Sequence, residues 1–339
     1  MPAYAKRDLL ADLSRFSGVT RVLSALPRKP LLIVLNYHRI GEPDKSPYDA
    51  EVFSATPQDL DAQISFWKRR FHIATLEEAI DMVERPERHR GTSILFTFDD
   101  GYLDNYELAF PILANHGVQA IFFLPTSFIG TNRIPWWDVI AYIVKNSRKK
   151  RFRLEAPPCE FDLAAEGIHR AIPRLLDLYR RAAQTGSEHF IALLEDACDS
   201  PRPNGSHRCF LNWDEAAAML RGGMAIGSHT HSHEILSRLP DHEQLRELET
   251  SRSILQERLG RPVDALSYPV GLRESFSSYT QTAAQKAGYR IAFSFYGGLN
   301  KPGAIKRYDV MRHGTAFGRS IGRYQLQAAL AAITGSYWF

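Results

Sequence analysis

The chain reads as an α/β protein, and three observations carry that reading. Short apolar runs alternate with helix-patterned segments along most of its 339 residues. Several of those segments open with legible helix caps. Hydrophobic residues at 44% and charged residues at 24% match a folded globular chain and exclude wholesale disorder. A chain of this length can bury roughly three quarters of its unfolded surface, so it needs no disulfide staples.

The first segment, residues 1–30, places Leu9, Leu10, Leu13, Phe16, Val19, Val22, Leu23 and Leu26 at helical spacing with basic residues between them. It predicts an N-terminal helical extension that packs on the domain, with weak contact to a membrane surface as the alternative. Lys6, Arg7, Asp8, Asp12, Arg15 and Arg21 interrupt any signal-peptide apolar region. No apolar run approaches the ~18 residues of a transmembrane span. Cys159, Cys198 and Cys209 lack metal-type or redox-type spacing and fit free thiols in a reducing compartment. A cytoplasmic location is expected. Forty-two Lys and Arg against 38 Asp and Glu leave a charge of +4, too balanced to argue for a nucleic-acid partner.

Strands are expected at Leu31–Asn36, Ser93–Phe98, Gln119–Leu124, Met224–Ile226, Val263–Tyr268 and Arg290–Phe295. Between them, Thr56 before Pro57 reads as an N-cap and first-turn pair, with Leu60, Ile64 and Trp67 as the apolar face. Thr75 with Glu78 reads as a capping box, and Asn212 with Glu215 opens another helix. A longer helix runs from about Asp241 to Leu259, where Gly260 and Pro262 stop it. Residues 139–208 break the alternation. This stretch is rich in Lys and Arg (Lys149, Lys150, Arg151, Arg153, Arg170, Arg174, Arg180, Arg181) and reads as a mostly helical insertion with a solvated basic face.

Three turns carry the chemistry, each at the end of an expected strand, where α/β folds place their sites. The first is Thr97-Phe98-Asp99-Asp100-Gly101. Adjacent carboxylates repel, and a bound cation would favour their ionised forms; Gly101 lets the backbone turn tightly beside them. The second is His229-Thr230-His231-Ser232-His233. Imidazole suits zinc and similar divalent ions, and one helical turn would bring His229 and His233 to one side. Two histidines and a carboxylate leave an open position for water or substrate. The pair His229 and His231 would converge only with help from another element. The third, Ser267-Tyr268-Pro269-Val270-Gly271, ends a strand in a turn whose freed amides can face an oxyanion.

In this order and spacing the three turns resemble the motifs of the polysaccharide deacetylases, carbohydrate esterase family 4, including the nodulation-type chitooligosaccharide deacetylases. The resemblance runs from about Tyr37-His38 to about Arg312, with 139–208 unmatched by short family members. It implies a distorted (β/α) barrel of about seven strands, with a catalytic domain over 31–335 and a substrate groove at the strand C-termini. It also implies that Asp100, His229 and His233 hold a divalent metal ion, Zn²⁺ being the first expectation. Asp99 would then be the general base, and the Val270 amide part of the oxyanion site.

The third motif departs from the family pattern: Ser267 stands where many members carry the arginine that orients the base. Branches with an early Tyr-His-Arg and a late arginine resemble this chain better, which makes Arg312 the expected counterpart. If Arg312 faces the site, alternation turns His313 away, and His38 becomes the better general acid. His313 remains the rival candidate. Trp136, Trp137 and Asp138 are expected to meet a sugar ring, or to pack in a core, and Tyr102 to line the groove with Tyr268 and Pro269. The activity implied is removal of N-acetyl groups from amino sugars in a polysaccharide, oligosaccharide or lipid-linked glycan. The alternatives are an O-acetyl esterase, a small cyclic-amide hydrolase on the same site, or a non-catalytic glycan-binding relative.

Overall fold

The computed structural model describes residues 29–155, 158–181, 187–205 and 208–315, with 317 and 330. The expected helix over 1–30 lies outside them except for its last two residues. Contacts divide the chain into two compact units, one formed by 1–41, 53–130 and 210–339 and the other by 42–52 and 131–209.

The first unit is a closed parallel barrel of seven strands: β1 (Leu31–Tyr37), β2 (Thr92–Phe98), β3 (Ala120–Leu124), β4 (Ala225–Ser228), β5 (Ala265–Ser267), β6 (Ile291–Ser294) and β7 (Val310–Gly314). Each strand pairs with the next in sequence, and β7 returns to β1. A two-residue strand, His72–Ile73, flanks β2 outside the ring. The ring is uneven. β1 and β2 share seven register pairs, from Leu31↔Thr92 to Tyr37↔Phe98, whereas β4 and β5 are joined through Leu266↔Ser228. All seven residues of β1 and all seven of β2 are buried, as expected for strands covered on both faces.

Helices link the strands, and their ends follow the capping residues. Thr56 accepts from the Asp59 amide at the start of Pro57–Lys68. Thr75 and Glu78 form the capping box of Leu76–Glu84, and Asn212 and Glu215 that of Trp213–Arg221. Asp241–Leu259 ends at Gly260 with φ 64°, a backbone conformation glycine adopts without a Cβ clash. No described helix is long and apolar enough to cross a membrane.

Strand alternation creates two apolar layers. Ile33, Leu35, Tyr37, Ile94, Phe96 and Phe98 face outward to the helices. Leu32, Val34, Leu95, Ile121, Phe123, Ala265, Phe293 and Val310 form the inner cluster. Continuing the inner rows toward the C-terminal ends of the strands gives Asn36 on β1, Thr97 on β2 and Asp99 just past its end, Ser267 on β5 and Arg312 on β7. All five are buried. The inside of the barrel therefore changes from apolar to polar where the strands end.

The second unit contains the helices Trp136–Lys145, Ile168–Arg181 and Ser187–Cys198 and an antiparallel hairpin, Arg151–Glu155 with Pro158–Asp162. Its bounds take in 131–138 and 42–52 besides the expected insertion. The Asp49 amide donates to Asp138 Oδ1 at 3.1 Å and Lys145 Nζ to the Ser46 carbonyl at 3.0 Å, tying the 42–52 segment in. The hairpin departs from the mostly helical reading. Phe152 and Leu154 are buried between exposed Arg151, Arg153 and Glu155, a period of two that the charges disguise.

Candidate active site

At the end of β2 the Asp99 amide donates to the Tyr37 carbonyl at 2.9 Å, which extends the β1 ladder by one step. The Asp99 side chain therefore stays on the inner face. Arg312 comes up from β7 and meets it with a forked pair, Nη1 to Oδ1 at 2.8 Å and Nη2 to Oδ2 at 2.9 Å. The remaining guanidinium hydrogens are also used: Nη1 donates to Asn36 Oδ1 (2.7 Å), Nη2 to Ser267 Oγ (2.7 Å) and Nε to the Ser294 carbonyl (3.1 Å). All five donors of a buried arginine thus have acceptors, the condition under which a buried ion pair is tolerable. Ser267 has the size this arrangement requires, since its hydroxyl accepts from a guanidinium delivered by another strand. Asn36 Nδ2 adds a third bond to Asp99, 3.1 Å to Oδ2.

Burial opposes the charged form of Asp99, but the Arg312 guanidinium and the neighbouring imidazoles outweigh it, and the carboxyl lies below its usual range. Asp100 lies one residue further, in a left-handed turn with φ 71°. Its Oδ1 is 3.4 Å from His229 Nε2 and 3.2 Å from His233 Nε2. Burial again raises its pKa, and bonds with both imidazoles reverse the direction. Burial lowers both histidines; the Asp99 charge prevails at His229 and desolvation at His233.

His229 follows β4, with its amide bonded to the Leu124 carbonyl at 3.0 Å. Its Nδ1 lies 2.8 Å from the Ser267 carbonyl. A carbonyl can only accept, so Nδ1 carries the proton, and in the neutral ring the Nε2 lone pair faces the carboxylates. The two imidazoles meet edge to face, with centroids 4.7 Å apart. They converge through a non-helical loop, since Thr230 (φ 65°) and His233 (φ 60°) are both left-handed. The helical turn suggested by the four-residue spacing is not what brings them together.

Ligand atoms of Asp100, His229 and His233 all lie within 4.8 Å of one another, and all three residues are buried. Two imidazole nitrogens and a carboxylate oxygen suit a divalent cation. The Nδ1–H bond from His229 to a carbonyl is the outer contact that typically orients a metal-binding imidazole.

The third turn follows β5. The Gly271 amide donates to the Pro269 carbonyl at 2.7 Å across Val270, whose φ of 63° gives the strained hand of γ-turn. Gly271 itself has φ 67°, and a Cβ there would lie 2.7 Å from Phe295 Cβ. Asp100, Thr230, His233 and Val270 account for four of the five described non-glycine residues at positive φ. Such conformations cost about 1–3 kcal/mol each and persist where surrounding structure holds them.

The family model for polysaccharide deacetylases matches residues 87–292, more than half of the chain and inclusive of all three turns. The chain belongs to the polysaccharide deacetylase family. A curated relative, the candidate polysaccharide deacetylase YxkH of Bacillus subtilis (strain 168), is 22% identical over 237 residues, covering 70% of this chain and 55% of that protein. This family member thus spans about half the length of that relative. Similar solved structures include a Streptococcus pyogenes deacetylase, PplD, in complex with acetate (15% identity, TM-score 0.58, 89% of this chain and 98% of that one). IcaB from Ammonifex degensii gives 18% and 0.57, over 90% and 98%. A de-N-acetylase from Aggregatibacter actinomycetemcomitans gives 15% and 0.58, over 88% and 99%. At these identities the likeness is one of fold.

The other expected site residues of this family member divide clearly. His38 is held by its amide on Ser54 Oγ (2.9 Å) and its carbonyl on Asn105 Nδ2 (2.7 Å), with its ring edge-on to Phe295 at 5.8 Å. Its Nε2 lies 3.9 Å from Asp99 Oδ2, and its side chain is 25% exposed against 4% for Asp99, so it stands between the buried carboxylate and solvent. His313 neighbours Arg312 on β7, a strand whose successive side chains alternate faces. Tyr102, expected to line the groove, is fully buried, stacked on Phe210 at 5.1 Å beneath the Arg39 guanidinium; it packs and offers no surface. Tyr268 is likewise buried against Phe276, with its hydroxyl on the Tyr308 carbonyl, and Pro269 is buried beside it; of that turn Val270 keeps partial exposure. Trp136, Trp137 and Asp138 belong to the second unit. Trp136 packs on Tyr179 at 4.3 Å, Trp137 is buried, and Asp138 is fully buried with its carboxylate taken by the Asp49 amide. Trp136 itself is half-buried. Asn36 and Thr97, whose hydroxyl donates to Asn36 Oδ1 at 2.7 Å, complete the polar inner layer without having been marked as site residues. Their signal was positional: polar side chains at the inner parity of two otherwise apolar strands.

Proposed function

We propose that the chain is a metal-dependent hydrolase that removes N-acetyl groups from amino sugars of a polysaccharide, oligosaccharide or lipid-linked glycan. The observation that carries this reading is the pairing of a buried, arginine-held Asp99 with a separate three-donor set one residue away. A cation site alone has no need of a second carboxylate whose charge is already matched by Arg312.

Asp100, His229 and His233 would hold the ion. When bound, a divalent ion such as Zn²⁺ supplies Lewis acidity, polarising the acetyl carbonyl and acidifying water. Asp99 takes the proton as water attacks the amide carbon. Three of the roughly four acceptor positions on its carboxylate are filled by Arg312 and Asn36, which leaves one for that proton. Arg312 keeps Asp99 ionised and fixes its plane. The Val270 amide faces the developing oxyanion, and the strained γ-turn aims it. His38 donates the proton that lets the amine leave. His313 is the weaker candidate because Arg312 takes the inner face of the same strand.

The test is acetate release from N-acetylglucosamine oligomers and from an O-acetylated xylo-oligosaccharide, with and without a chelator. Release from the amide substrate that stops on chelation and returns with added Zn²⁺ is expected. Release from the ester alone assigns the esterase reading. Metal binding without acetate release from either assigns a non-catalytic glycan binder.

A further inference from the structure

The loop from His229 to His233 has its five backbone N–H groups fully accounted for. His229 donates to the Leu124 carbonyl (3.0 Å), Thr230 to Ser228 Oγ (3.1 Å) and His233 to Thr230 Oγ1 (3.2 Å). The two between the histidine ligands, those of His231 and Ser232, both donate to one oxygen of Glu247, at 3.0 and 2.8 Å. The other Glu247 oxygen accepts from Ser232 Oγ at 2.8 Å. From the opposite side, the amides of Thr126 and Ser127 donate to the carbonyls of Thr230 and His231, and Thr126 Oγ1 lies 2.8 Å from His231 Nδ1. Glu247 sits on the helix Asp241–Leu259, the next α-helix after the loop in sequence and outside the three turns that carry the chemistry.

We propose that Glu247 is a positioning residue of the metal site, clamping the loop so that His229 and His233 face Asp100 before any ion arrives. The inference rests on the reading that these histidines hold a metal. Thr230 and His233 are left-handed without being glycine, a conformation an unheld loop would leave. Relaxation at either residue rotates one imidazole relative to the other. The Thr126 and Ser127 bonds hold the loop's carbonyls, but they do not occupy the two adjacent N–H groups that turn the chain between the ligands. Only a two-oxygen acceptor can take both of these and the serine hydroxyl together. Preorganised ligands bind more tightly because the ion does not also have to order them.

The role predicts a dependence on geometry and not on charge. Glutamine presents an oxygen for both N–H bonds, and its amide can donate to the Ser232 hydroxyl in reversed polarity. Zn²⁺ affinity is measured by competition with a chromophoric chelator in the full chain, wild type against Glu247→Ala, Glu247→Gln and Ser232→Ala. Glu247→Ala is expected to weaken binding 10–100-fold, the range seen when outer partners of ligands are removed. Glu247→Gln should stay within about threefold of wild type, and Ser232→Ala, which keeps both N–H bonds, close to it as well. Wild-type affinity in Glu247→Ala, or an equal loss in Glu247→Gln, overturns the clamp and leaves the metal reading standing. No Zn²⁺ binding by the wild type overturns both. Should Glu247→Ala fail to fold, amide hydrogen exchange at His231 and Ser232 in the metal-free wild type decides. Slow exchange is expected, and exchange at unprotected rates overturns the proposal.

Discussion

At the scale of single residues, the site separates two tasks that a sequence shows as neighbours. Asp99 and Asp100 are adjacent, yet one faces Arg312 and the other two imidazoles. Stoichiometric divalent-metal binding should disappear in His229→Ala and in His233→Ala and persist in His231→Ala, read by elemental analysis. His231 lies outside the donor set, because its ring bonds to Thr126 and its amide to Glu247. Arg312→Ala should lower stability by about 3–5 kcal/mol in chemical denaturation, the cost of leaving a buried carboxylate without its partner. It should also remove deacetylation, since Asp99 then loses both charge balance and orientation. That Asp99, Asp100, His229, His233 and Arg312 come together was expected from the sequence through the resemblance of its three turns and its late arginine to a family pattern. Asn36 and Thr97 were not, because a polar residue inside a strand announces itself only once the inner parity is known.

At the scale of elements, caps and strand ends were the most legible features. Thr56, Thr75, Asn212 and Gly260 each end a helix for a local reason that needs no tertiary contact. Strand bounds fall within two residues of the apolar runs, except that β7 carries Arg312 and His313 and does not read as an apolar run at all. The loop conformations were hidden: side-chain type does not signal that Thr230, His233 and Val270 are left-handed, since non-glycine residues seldom adopt that region. Gly271 is the position where such a turn meets close packing. Gly271→Ala would drive a methyl into Phe295, whose amide bonds the Gly271 carbonyl and whose ring touches His38. It should cost about 1–3 kcal/mol in stability and reduce kcat more than it changes KM, because the Val270 amide and His38 move together.

At the scale of the molecule, closure of the ring brings the site together. The three turns end β2, β4 and β5, and the arginine comes from β7, next to β1 and across the barrel from β4. In a sheet opened between β7 and β1, Arg312 could not reach Asp99, whereas His229 and Ser267, from neighbouring strands, would still meet. Binding an ion to a site present in the folded state alone should stabilise the whole barrel. Zn²⁺ at a hundred times its Kd should add about 2.7 kcal/mol over the chelated protein, seen as a rise in Tm. The second unit was read in the sequence as a helical insertion, and its hairpin was missed where alternating charge looks like a solvated helix face. In the proposed mechanism Asp99 is the base and not a ligand. The most direct measurement is acetate release from an N-acetylglucosamine oligomer by wild type and Asp99→Asn, with the metal content of each determined on the same sample. Equal metal content with turnover reduced at least ~10²-fold in the variant is the predicted result; near-normal turnover in a fully loaded Asp99→Asn would contradict it.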